Sequence, residues 1–240
     1  MTPTVLLLHG FTHTGSSWDP VVAALGERYR VLAPDIRGHG AATDLATVTL
    51  AGVIEDLGSL VPRGRFVLGG YSMGGRIALH AALAMADRVE RLVLVGASPG
   101  ISDPAERERR RLADERLADE IARSSIEQFA ARWAREPVLA GMPAEVSSRA
   151  HADRLRNSPL GLARALRGLG TGALPSLWDR LGELDTPVRI IVGERDHKFR
   201  AIAAEMERSI ARAEVIVIPE VGHAAHLEAP REVAEVIAGR

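Results

Sequence analysis

Four times within residues 1–98 a short apolar run ends in a turn, with helical spacing between the runs. TVLLLHG, YRVLAPD, RFVLGG and VERLVLVGAS are rich in leucine and β-branched residues and too short for helices. They read as strands buried on both faces. WDPVVAALGER, TLAGVIEDLGSLV and a segment starting near Gly74 carry helical spacing. Such alternation specifies a mostly parallel sheet covered by helices on both sides. It stops at Pro99 and resumes with TPVRIIVGE, a helix over about 199–211, AEVIVIPE and a last helix from about Leu227. Residues 99–185 show helical periodicity, charge and turns but no strand pattern. The expected organisation is an α/β core of about six strands, made by residues 1–98 and 186–240. A helical cap, residues 99–185, is inserted after the fourth strand. An insertion there lies over the crevice where open α/β sheets bind ligands, and serves as a lid.

Composition narrows the function classes. The chain has 240 residues, 46% hydrophobic and 25% charged, with net charge −1, so no global field draws it to nucleic acid or acidic membranes. It has no cysteine, which excludes disulfides, thiolate zinc sites and cysteine nucleophiles. The opening MTPTVLLLHGF has no basic leader and too short an apolar run for a signal peptide or membrane span. A cytoplasmic protein is the expectation. Of 30 basic residues only Lys198 is lysine; codon bias in a GC-rich genome accounts for the arginines.

GYSMG, residues 70–74, is G-x-S-x-G between a strand and a helix. Glycines there permit the sharp turn that lifts a serine nucleophile above the sheet edge; the alternative is a packing turn with an incidental serine. A nucleophile elbow requires an acid and a histidine later in the chain. Asp196 follows the strand VRIIVGE, in competition with Glu194 and with Asp35, whose position before the serine breaks the order. His223 follows VIVIPE, in competition with His226, which falls at a helix start and suits solvent or capping duty. LHGFT follows the first strand, so the N–H groups of Phe11 and Met73 would form an oxyanion hole. His9 reads as a brace for that loop. No ligand spacing for a metal is present.

These segments together resemble the α/β-hydrolase-fold proteins. More narrowly, they are similar to the 2-succinyl-6-hydroxy-2,4-cyclohexadiene-1-carboxylate (SHCHC) synthases of menaquinone biosynthesis. The likeness runs through LHGFTHTGSSW, PDIRGHG, GYSMGGR, RRRLADERLADEI, FAARWAREPV, RNSPLGLARALRGLGTG, GERDHKFRAIAAE and GHAAHLEAP. It implies a triad of Ser72, Asp196 and His223. It also implies a polycarboxylate substrate held by Arg76, Arg110 and Arg156, with Trp133 and Tyr71 lining the site. Arg109 and Arg111 flank Arg110, and Trp133 is spaced with Phe129 for core packing as well. No metal or organic cofactor is implied. The chain departs from the family pattern in opening on the strand that leads to the oxyanion loop, so the N-terminal strands are expected to be reduced.

The chemistry supports a charged substrate without the resemblance. An arginine one helical turn after the serine points into the same crevice. Carboxylates under a lid need paired cations, since an unpaired buried charge is very costly, and guanidinium supplies bidentate bonds. A pocket for neutral acyl chains would be apolar there. The counter-reading applies to the cap, whose 14 arginines match 14 acidic residues and so belong by default to a salt-bridged surface. Three functions compete: a lyase that removes a proton and expels pyruvate, a serine hydrolase of esters or C–C bonds with the same triad, and a non-catalytic binding protein.

Overall fold

A computed structural model describes residues 2–44, 47–61 and 63–239. In chain order the elements are β1 (Thr4–Leu8), α1 (Asp19–Leu25), β2 (Arg30–Leu32), α2 (Leu50–Leu60), β3 (Phe66–Tyr71), α3 (Met73–Ala84) and β4 (Val89–Val95). Then come α4 (Pro104–Arg123), α5 (Ile126–Trp133), α6 (Ala144–Arg154) and α7 (Pro159–Leu169). The chain closes with β5 (Val188–Gly193), α8 (His197–Ser209), β6 (Ala213–Ile218), α9 (Ala225–Glu228) and α10 (Pro230–Ala238). Between β4 and β5 the regular elements among the described residues are all helical.

The six strands form one parallel sheet in the order β2-β1-β3-β4-β5-β6. Side chains alternate between its faces, so one strand feeds two cores. Leu6 and Leu8 join Leu68, Ile77, Leu92 and Ile190 on the face of α2, α3 and α8. Val5 and Leu7 join Val67, Val93 and Ile191 on the face of α1 and α10. From β1 the chain moves outward to β2 and then returns to β3 on the other side of β1. That reversal opens a crevice at the carboxyl ends of β1 and β3, the ligand position of open α/β sheets.

The inserted helices have a small core of their own. Ala118 and Ile121 of α4 and Phe129 of α5 meet Leu162 and Leu166 of α7. Outside it the arginines pair as the charge balance suggested: Arg111 with Glu108, Arg132 with Glu120, and Arg167 with Glu115 and Asp119. Asn157, between α6 and α7, staples this layer to the core. Its Nδ2 donates to the Thr12 carbonyl at 2.8 Å and its Oδ1 accepts from the Gly40 N–H at 3.0 Å.

The C-terminal helix expected as one piece is two. Pro230 has no N–H to continue α9 and instead starts α10 at its first turn, with Ala229 displaced from helical geometry.

Helix α3 lies unusually close to β1. A Cβ on Gly74 would come within 2.3 Å of the Leu8 carbonyl oxygen and 2.4 Å of that of His9. In an ordinary helix alanine is about 1 kcal/mol better than glycine. Gly74→Ala is therefore expected to have the opposite sign, costing at least about 2 kcal/mol through forced backbone movement. Urea unfolding of the variant measures this; a stabilised variant would contradict the close approach.

Candidate active site

The loops after β3, β5 and β6 bring three side chains into one line. Ser72 sits on the turn between β3 and α3 with φ 51° and ψ −109°, a left-handed conformation rare for a residue with a Cβ. A Cβ on Gly70 would meet the Gly74 carbonyl at 2.4 Å, so the turn closes only with glycine at both ends of GYSMG. The Ser72 hydroxyl donates toward His223 Nε2 at 3.2 Å, and His223 Nδ1–H donates to Asp196 Oδ2 at 2.6 Å. Asp196 is the N-cap of α8, its Oδ1 accepting from the Phe199 N–H at 3.3 Å. That bond fixes the carboxylate while its other oxygen orients the imidazole. Phe199 packs on the other side of His223, ring centroids 4.4 Å apart.

The competitors go elsewhere. Asp35 accepts from the Gly15 and Ala41 N–H groups, both at 2.7 Å, and braces two loops. Glu194 is exposed and accepts from the Glu220 N–H. His226 corrects the expectation of a solvent or capping role: it is wholly buried, stacked on Tyr71 at 4.2 Å and against Trp18 at 4.7 Å. It lies among apolar rings because α9 is a single turn pressed against the core.

Phe11 and Met73 lie beside Ser72 on the wall of one cavity of about 910 Å³. Met73 opens α3, so its N–H has no carbonyl one turn back within the helix. His9 braces the loop that carries Phe11. Its Nδ1–H donates to the Gly10 carbonyl and its Nε2 accepts from the Ile36 N–H, both at 2.9 Å, which requires the neutral ring.

Arg76 opens onto the same cavity from the first turn of α3, 7% exposed. One Nη donates to the Thr171 hydroxyl, its Nε has no partner, and among the described residues it makes no ion pair. Burial, helped by the nearby charge of Arg110, pulls its pKa down to about 10. Of the three consecutive arginines it is Arg110 that lines the cavity, its Nε bonded to buried Asp114 at 2.7 Å. Arg111 pairs outward with Glu108, and Arg109 is exposed.

Arg156 is not on this cavity. It is exposed, bonds the Ser16 hydroxyl at 2.8 Å and lines a smaller cavity with His13 and Asp19. The buried arginine of this segment is Arg154, whose charge acts on Tyr71 and Asp153. Asp153 sets that register. It accepts from His13 Nδ1 and the Thr14 N–H, which clamps the end of α6 with Arg154 inward. Tyr71 is buried behind the serine, packed on His223 and His226, rather than on the cavity wall. Trp133 does both things expected of it: it packs on Phe129 and Phe11 and lines the cavity. Thr171 and Lys198, which also line it, were given no role by the sequence pattern. Among the described residues no cluster of three or more His, Asp or Glu could hold a metal ion, and no helix is long and apolar enough to cross a membrane.

The chain matches the family model described as "Alpha/beta hydrolase family" over residues 5–236. A Salmonella heidelberg (strain SL476) protein named as an SHCHC synthase is 34% identical, the alignment covering 98% of this chain and 92% of that protein. A Bacillus subtilis (strain 168) protein provisionally given the same name is 36% identical, over 97% and 88%. The solved structure of MenH from S. aureus superposes with a TM-score of 0.93 at 32% identity, covering 100% of this chain and 93% of the other.

His9, His39, His80 and His226 are buried and held neutral by that burial. Burial lowers His9 to about 4, and burial together with the Arg76 charge lowers His80 to about 4. His39 and His226 are pushed well below the usual value by burial and by neighbouring rings. The unfolded chain takes up these protons near pH 6.5, while folded His9 and His80 refuse them until about 4. Stability is therefore full above that window and lost as pH falls through it, on the order of 3 kcal/mol from His9 alone. Urea midpoints measured between about pH 7 and about pH 5 are expected to drop steadily; a flat profile would contradict the neutral assignments.

Proposed function

The chain belongs to the alpha/beta hydrolase family and, within it, to the group of the SHCHC synthases; from that premise we propose that it is a lyase of menaquinone biosynthesis. The proposed substrate is 2-succinyl-5-enolpyruvyl-6-hydroxy-3-cyclohexene-1-carboxylate, and the products are pyruvate and SHCHC. The observation that carries the reading is Arg76, a buried guanidinium without a carboxylate partner on the wall that also carries Ser72. Such a charge is costly unless an anion completes it. A substrate with three carboxylates does so, and a neutral ester does not.

The same groups that would activate a nucleophile serve here as a base. His223 takes the Ser72 proton while Asp196 steadies the imidazolium. The serine oxygen then removes the proton from ring C2, which is acidic because the succinyl ketone is attached there. The electron pair enters C2–C3, the C3–C4 double bond moves to C4–C5, and the bond from C5 to the enolpyruvyl oxygen breaks. The leaving enolate collects a proton and becomes pyruvate, and the ring is left as the 2,4-diene. As the C2 proton departs, charge grows on the ketone oxygen, and the Phe11 and Met73 N–H groups stabilise it. Arg76 and Arg110, both on the cavity wall, hold carboxylates, so that C2–H, and no ester carbonyl, lies within about 3 Å of the serine. No cofactor takes part. In this reading the helices over the cavity act as a lid, and the reaction runs in the cytoplasm.

The reading is tested by offering the enolpyruvyl substrate and a neutral p-nitrophenyl ester side by side. The lyase reading predicts the far larger kcat/KM on the first; the reverse would make the protein a serine hydrolase. Arg76→Ala is expected to lower kcat/KM on the carboxylate substrate by about 2–5 kcal/mol, with the fold intact. A loss below about threefold would remove Arg76 from the site. Asp196→Asn is expected to cost as much as ~10⁴ in kcat through the wrong imidazole tautomer. An equal or larger loss from Asp35→Asn at unchanged stability would overturn that assignment.

A further inference from the structure

Lys198 is the single lysine among 30 basic residues, and it lines the cavity that holds Ser72. Where any surface cation serves, this chain uses arginine: Arg111, Arg132 and Arg180 all make exposed ion pairs. A lone ammonium at the mouth of the reactive cavity departs from that habit. Its placement parallels that of Arg76. Arg76 stands four residues after Ser72 in the first turn of α3, and Lys198 stands two residues after Asp196 in the first turn of α8. Both cations line the cavity that holds Ser72 and His223, Arg76 from α3 and Lys198 from α8. Lys198 Nζ is 5.7 Å from the centroid of the Phe199 ring, and that ring backs His223. Among the described residues Lys198 makes no ion pair.

We propose that Lys198 is a specificity-determining residue that receives one carboxylate of the substrate from the imidazole side of the cavity. The inference rests on the lyase reading above and deepens it. A substrate fixed by Arg76 and Arg110 alone is held from the α3 and α4 side and stays free to pivot away from the base. A third cation on α8 closes that freedom. An ammonium suits the place better than a guanidinium, because it is compact, turns freely on a four-carbon stem and donates in three directions, whereas a planar fork over Phe199 would stack on the ring. The competing role is a latch: Glu136, three residues past α5, lines the same cavity and would close onto Lys198.

The experiment is steady-state kinetics on the enolpyruvyl tricarboxylate with wild type, Lys198→Met, Lys198→Arg and Glu136→Gln. Turnover by wild type tests the lyase reading separately, and its absence would defeat that reading before Lys198 is reached. Given turnover, Lys198→Met is expected to raise KM about 10- to 100-fold with kcat within about threefold, the pattern of a lost binding contact. Lys198→Arg is expected to recover less than half of that loss on a logarithmic scale, and Glu136→Gln to leave KM near wild type. The proposal is overturned if Lys198→Met stays within about twofold of wild type, if Lys198→Arg recovers fully, or if Glu136→Gln reproduces the loss.

Discussion

The approach of α3 to the end of β1 is the contact on which the rest of the site depends. With the Gly74 Cα pressed against the Leu8 and His9 carbonyls, the chain has to reverse within one residue, and Ser72 takes the strain. That one contact sets three things together. It raises the serine above the sheet edge, starts α3 at Met73 on the cavity wall, and places Arg76 one turn later on the same wall. His9 holds the partner loop from below through the Gly10 carbonyl and the Ile36 N–H. Ser72, Met73 and Arg76 are thus fixed on the cavity wall by backbone geometry.

The second constraint is electrostatic. Arg76 and Arg154 are both buried, and each has an Nε without a partner. Two such cations favour an anion in their neighbourhood and disfavour further positive charge, and the histidines follow: His80, one turn beyond Arg76, is held neutral partly by its charge. The overlying helices are tied down where they meet the loops after β1 and β2. Asn157 bonds Thr12 and Gly40, and Asp153 bonds His13 and Thr14. Burial works against the Asp153 charge, yet these bonds outweigh it and hold the carboxyl below its usual range. Among the described residues the α4 and α5 end, with Arg110 and Trp133, meets the β1 loop through the Phe11–Trp133 contact.

Much of this was legible in the sequence because strong local rules agree. Buried strands ending in glycine, a G-x-S-x-G turn and the Ser, Asp, His order each have a single common structural solution. What was missed depended on the phase of a helix. Val146 and Ala150 are the buried positions of α6, and the next residue on that face, four further on, is Arg154 rather than Arg156. The same count from Asp114, Ala118 and Ile121 selects Arg110 over its neighbours. The helical spacing was therefore present, and reading it would have separated the buried arginine from the exposed one. The burial of His226 had no such local sign, since it follows from α9 docking between α1 and the sheet, a long-range contact. The break at Pro230 did have one, in the proline itself.

In the proposed reaction Ser72 removes a proton from carbon and does not become acylated. The direct measurement is the kinetic isotope effect on kcat/KM with substrate deuterated at ring C2, combined with rapid-quench intact-mass analysis during turnover. Proton removal by Ser72 predicts a primary effect of about 2 or more, since C–H cleavage then lies in the transition state, and no mass adduct on the protein. An effect near unity together with a kinetically competent substrate adduct on Ser72 would contradict it.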